Sequence, residues 1–104
     1  MSKWIPWPGF WSARSLPEPI SEFKVCPERR WRFDWAFPVQ RVAIEVNGGI
    51  FSRIRGRHSR GAGQLKDWEK LNHAQKLGWK VFQFSPQQMN EEKTAEFLRE
   101  VLKS

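Results

Sequence analysis

Trp31-Arg32-Phe33-Asp34-Trp35-Ala36-Phe37, then Pro38-Val39-Gln40, then Arg41-Val42-Ala43-Ile44-Glu45-Val46 is the stretch on which the fold turns. Two runs rich in aromatic and β-branched residues flank a short turn. That pattern predicts an antiparallel hairpin with strands over 31–37 and 41–46. The second run is apolar on both faces except at Glu45, as expected of an inner strand. Each strand carries one carboxylate, and ten residues separate Asp34 from Glu45. A carboxylate inside an apolar strand is costly unless it is paired or holds a cation. The two acids therefore read either as a divalent metal site or as structural ion pairs with Arg32, Arg41 or Lys80.

Working outward, residues 20–25 predict a first strand, with Phe23 and Val25 on one face. Cys26-Pro27-Glu28-Arg29-Arg30 predicts a turn, and Asn47-Gly48-Gly49 a sharp end to the third strand. Residues 50–63 read as a basic loop without helical periodicity. Residues 64–77 predict a helix with Leu65, Trp68, Leu71, Ala74 and Leu77 as its apolar stripe, closed by Gly78. Residues 79–84 predict a fourth strand ended by Pro86. Residues 89–102 predict a last helix with Phe97, Leu98, Val101 and Leu102 as its apolar side. The expected fold is α/β, a small mixed sheet flanked by helices in the order β-β-β-α-β-α. If the third and fourth strands are parallel, the intervening helix is a crossover.

Residues 1–19 form a Trp/Pro-rich leader ahead of a single domain over 20–104. Trp4, Trp7 and Trp11 alternate with Pro6, Pro8, Pro17 and Pro19. Proline excludes a long helix, leaving room for one turn near 10–14. The aromatics are expected to wrap over the core. A surface for a protein partner or for unstacked bases is the sharper alternative.

The chain has 104 residues, with 18 Lys+Arg against 11 Asp+Glu and a formal net charge of +7. This excess favours a polyanionic partner, most often nucleic acid. Cys26 is the single cysteine, and His58 and His73 are the two histidines. Neither an intrachain disulfide nor a Cys- or His-based zinc cluster is available. One thiol suits a reducing interior. No apolar run approaches the roughly 20 residues needed to span a bilayer. A cytoplasmic protein with no membrane partner is expected.

Two carboxylates facing a polyanion suit phosphodiester hydrolysis. That reaction needs an activated water, a neutralised phosphate and a stabilised leaving oxygen, which Mg²⁺ held by a few carboxylates supplies. Asp34 and Glu45 have the right chemistry to hold such a cation, with the Val46 carbonyl as a third oxygen, beside the alternative of structural ion pairs. Arg53, Arg55, Arg57 and Arg60 are expected to grip DNA phosphates, extended by Arg29 and Arg30.

Asp34 followed by Glu45-Val46-Asn47 resembles the motif core of the PD-(D/E)XK nuclease superfamily. The segments RRWRFDWAFPVQRVAIEVNGG, GRHSRGAG and KDWEKLNHAQKLGWKVFQFSP are similar to one branch. It comprises small endonuclease-like proteins, often encoded by phages or prophages, related to the very short patch repair endonucleases. The resemblance covers roughly residues 20–88. It implies a restriction-endonuclease-like fold and a Mg²⁺-dependent DNA endonuclease, with Asp34 and Glu45 in the metal role and Mn²⁺ able to substitute. The setting implied is phage or DNA-repair metabolism in a bacterial or phage-infected cell. Junction, nick or mismatch substrates fit, and a homodimer is left open.

The superfamily motif usually ends in lysine, whereas Asn47 stands there. Some members supply the lysine from the adjacent helix, and Lys70 is the expected replacement, with Lys66 second and a DNA contact. The superfamily also often has an acid on a helix before the first strand; only Glu18 and Glu22 are available here. His58 matches the region where the patch repair branch places a histidine, so it is expected to activate water or protonate the leaving oxygen. His73 is expected to be structural. The competing reading is a catalytically degenerate DNA-binding or protein-interaction module of nuclease ancestry.

Overall fold

The computed structural model describes residues 4–47 and 60–103, with side chains for all of these except 60–67. A single helical turn, α1 (Phe10–Ala13), precedes three strands, β1 (Ile20–Phe23), β2 (Phe33–Phe37) and β3 (Val42–Val46). Helix α2 (Arg60–Lys76) leads into β4 (Lys80–Phe84), followed by α3 (Pro86–Met89) and α4 (Glu92–Lys103). The strands form one mixed sheet in the order β1-β2-β3-β4. β1 to β2 and β2 to β3 run antiparallel, whereas β3 and β4 are parallel and in register from Val42 with Lys80 to Val46 with Phe84. The chain is thus mixed α/β, with a four-stranded mixed sheet flanked by helices, and β3 is an inner strand.

Alternation along β3 divides the core in two. Val42 and Ile44 join Phe10, Trp11, Leu16, Phe37, Met89, Leu98 and Leu102 in one cluster. Ala43 joins Val25, Phe33 and Ala74 in the other. Successive side chains of a strand point to opposite faces, so one cluster lies on each side of the sheet. The leader belongs to the first cluster: Trp11 meets Trp35 and Phe37 edge to face, at 5.5 and 6.0 Å between ring centroids. Arg99 fastens it further by donating from Nη1 to the Arg14 carbonyl at 2.6 Å.

Several expectations need correction; β1, expected over 20–25, ends at Phe23. Helix α2 begins at Arg60 rather than at residue 64, so the end of the expected loop is helical. Gly61 and Gly63 cost a helix only about 1 kcal/mol each, and no proline forbids the extension. The apolar stripe of this helix is also shorter than expected. Ala74 is buried and Leu71 is half-buried, but Trp68 and Leu77 are exposed. A strict three-residue spacing falls about 60° short of a full turn at each step, so the stripe winds off the contact face.

The helix expected over 89–102 begins later, at Glu92, and a separate short helix that was not expected, α3, precedes it. Ser85 starts α3 with a capping box: its Oγ accepts the Gln88 N–H at 3.1 Å, and Gln88 Oε1 accepts the Ser85 N–H at 2.8 Å. Pro86 occupies the first turn, where its missing donor costs nothing. Asn90 caps that helix, and α4 starts afresh at Glu92. On α4, Leu98 and Leu102 are buried as expected, while Phe97 stays 44% exposed with its ring against Phe82.

Candidate functional site

The register of β2 on β3 pairs Trp35 with Ile44. One step further stand Asp34 and Glu45, and there the ladder gives way to a side chain. Asp34 Oδ2 accepts the Val46 N–H at 2.7 Å. The next amide, that of Asn47, donates the other way, to the Phe84 carbonyl at 2.7 Å. The Asp34 carboxylate thus takes a strand donor on the β2 side of β3 just where backbone pairing ends. A carboxylate accepting a backbone N–H is fixed in direction by a charge-assisted bond.

Glu45 lies two residues after Ala43 and so projects on the α2 side of the sheet. Lys70 meets it there. Its Nζ forms an ion pair and hydrogen bond with Glu45 Oε2. The same ammonium donates to the Arg32 carbonyl at 2.6 Å and stands 4.5 Å from the Phe33 ring centroid. The two side chains are only 18% and 25% exposed. Burial of Ala74 one turn later seats α2 on this face and brings Lys70 to the strand ends.

Of the expected site residues, Asp34 is joined to Val46 and Glu45 to Lys70, on neighbouring strands at one end of the sheet. Val46 enters by its N–H, a part the sequence did not suggest. Between the two lysines considered for the motif position, Lys70 reaches Glu45; the side chain of Lys66 lies outside the described residues. So does that of Arg60, and His58, Arg53, Arg55 and Arg57 lie outside them altogether. Of the cations weighed as structural partners for the acids, Arg32 and Arg41 direct Nη1 to the carbonyls of Glu22 and Leu77, at 3.3 and 3.1 Å. His73 packs on Trp31, with 5.2 Å between ring centroids.

Among the described residues, no group of three or more His, Cys, Asp or Glu gathers. The oxygen donors at this end of the sheet are the Asp34 and Glu45 carboxylates and backbone carbonyls. That set fits a hard divalent cation such as Mg²⁺, which is commonly held by one or two carboxylates together with substrate phosphate and water. It does not suit zinc, which prefers sulfur and imidazole.

Among the described residues, no helix is long and apolar enough to cross a membrane. No family model, no curated protein and no solved structure matches this chain.

Proposed function

We propose that the chain is a metal-dependent DNA endonuclease of the restriction-endonuclease-like type, akin to the small phage and prophage branch of the PD-(D/E)XK superfamily. One observation supports this above the rest. Lys70 on α2 is delivered to Glu45, beside the Asp34–Val46 bond, although the usual motif lysine position is Asn47. Two carboxylates and an ammonium at the end of a sheet make the minimal set for phosphodiester hydrolysis.

Asp34 and Glu45 would hold the cation, and the Val46 carbonyl is the expected third oxygen. Bound there, Mg²⁺ supplies charge neutralisation for the phosphate and a water acidic enough to attack. The chain's own groups do the remaining work. Asp34 keeps one orientation because the Val46 N–H holds it. Lys70 offers a positive charge to the oxygens that gain negative charge as water adds to phosphorus and the P–O bond breaks. Its bond to the Arg32 carbonyl keeps the ammonium at the site when Glu45 turns to the cation. His58 is the proposed proton-transfer group, and Arg53, Arg55, Arg57, Arg60 and Lys66 are proposed phosphate contacts.

The purified chain should cut DNA with Mg²⁺ or Mn²⁺ on at least one of duplex, nicked, flap or four-way substrates. Asp34→Ala and Glu45→Ala should abolish cutting while DNA binding persists. Intact DNA on every substrate with both metals would overturn the reading and leave the binding module of nuclease ancestry in its place.

A further inference from the structure

A second group of cations lies beside the candidate site. Arg29, Arg30 and Arg32 fall within four residues just before β2, and all three are exposed. Among the described residues none of the three meets a carboxylate; Arg32 donates to the Glu22 carbonyl instead. A guanidinium that meets no carboxylate keeps its full charge for an anion from outside the chain.

Arg29 is also held in place. Its N–H donates to the Cys26 carbonyl at 3.1 Å, closing a turn whose base is the buried pair Val25 and Cys26. Its guanidinium lies over the Trp31 ring, 4.7 Å from the centroid. Trp31 in turn rests on His73 with the rings tilted 53°. Arg29, Trp31 and His73 thus form a stack rooted in α2. A guanidinium on an aromatic ring keeps its N–H edge free for an anion while losing side-chain freedom in advance.

The stack and the candidate site share their supports. His73 is three residues after Lys70 on α2, so both lie on one side of the helix. Lys70 donates to the carbonyl of Arg32, the residue that follows Trp31. The stack and the Glu45–Lys70 pair are therefore held by the same helix and by adjoining residues of one chain segment.

We propose that Arg29 and Arg30, with Trp31 on His73 as the support for Arg29, form a preorganised strip that binds the phosphodiester backbone of DNA on the flank of the candidate site. The choice of DNA as ligand rests on the nuclease reading. Arg29 and Arg30 touch phosphate; Trp31 is a positioning residue that acts through Arg29.

The test is the salt dependence of binding to an end-labelled DNA duplex, measured by fluorescence anisotropy in EDTA so that nothing is cut. Each phosphate contact contributes about 0.9 to the slope of log K against log[salt], so Arg29→Ala with Arg30→Ala should lower the slope by about 1.8. Trp31→Ala should lower it by up to about 0.9, and Trp31→Phe, which keeps a ring under the guanidinium, should restore it. The His73 imidazole NMR signal should move on adding DNA to the wild type and stay put in the double arginine variant.

An unchanged slope in the double variant overturns the strip even if the wild type cuts DNA. A lowered slope in a protein that cuts nothing keeps the strip and removes the nuclease reading. Absence of salt-dependent DNA binding in the wild type, or tighter binding of an RNA duplex of the same sequence, overturns the strip as a DNA site.

Discussion

The Lys70 ammonium, carried by α2, neutralises Glu45 on the inner strand β3 and is shared with the Arg32 carbonyl. The lysine therefore occupies one of the carboxylate oxygens that a divalent cation would use. On the nuclease reading, a cation at Glu45 would have to displace the lysine from that oxygen.

Lys70→Met should therefore shift two quantities in opposite directions. Freeing Glu45 from a partly exposed ion pair is worth up to about 1 kcal/mol, or roughly fivefold in Mn²⁺ affinity. Cleavage should fall by about 10²–10³, as when one preorganised charge-stabilising donor is lost. Calorimetric titration with Mn²⁺ and a single-turnover assay read the two. Weaker Mn²⁺ binding in the variant would refute the competition.

Asp34 separates structure from chemistry. Asp34→Asn keeps a carbonyl oxygen for the Val46 N–H and should lose less than about 1 kcal/mol of stability. Asp34→Ala leaves that amide without its acceptor and should cost about 1–3 kcal/mol. Both variants should lose Mn²⁺ binding. Urea unfolding of the pair, read beside the titration, checks the split; equal stability of the two variants would show that the Val46 bond contributes nothing.

The leader is part of the fold. Trp11 is 3% exposed and packs on Trp35 and Phe37. Trp11→Ala should cost about 3–5 kcal/mol, as large-to-small changes in a core do. The measurement is the denaturation midpoint. A loss below about 1 kcal/mol would mean that the leader is dispensable to the core.

Gly78 ends α2 with φ at +89°, a left-handed conformation that other residues adopt at a cost. A Cβ there would also stand 3.3 Å from Arg41 Nη1, which donates to the Leu77 carbonyl. Gly78→Ala should destabilise by about 1–2 kcal/mol from backbone strain alone. An unchanged melting temperature would contradict this account of the helix stop.

Much of the fold was legible because strand signals are local. The alternation and composition of residues 31–46 sufficed for the hairpin, and the apolar residues on both faces of 42–46 marked β3 as inner. The helix ends were less legible. The Ser85 capping box is present in the sequence, but a four-residue helix after it is too short to show an apolar period. Trp68 and Leu77 resembled core positions because spacing by three mimics a helical face over one step and departs from it over four.

Residue types and spacing by themselves determined that two carboxylates sit on consecutive strands of a basic chain, since a strand's period of two and a short turn leave few alternatives. Only the tertiary structure decided what stands against them. Which lysine reaches Glu45 depends on how α2 lies across the sheet, and that is set by the burial of Ala74, far from either acid in the chain. The Val46 amide bound by Asp34 was likewise invisible, because every residue has an N–H and only the end of the ladder leaves this one for a side chain.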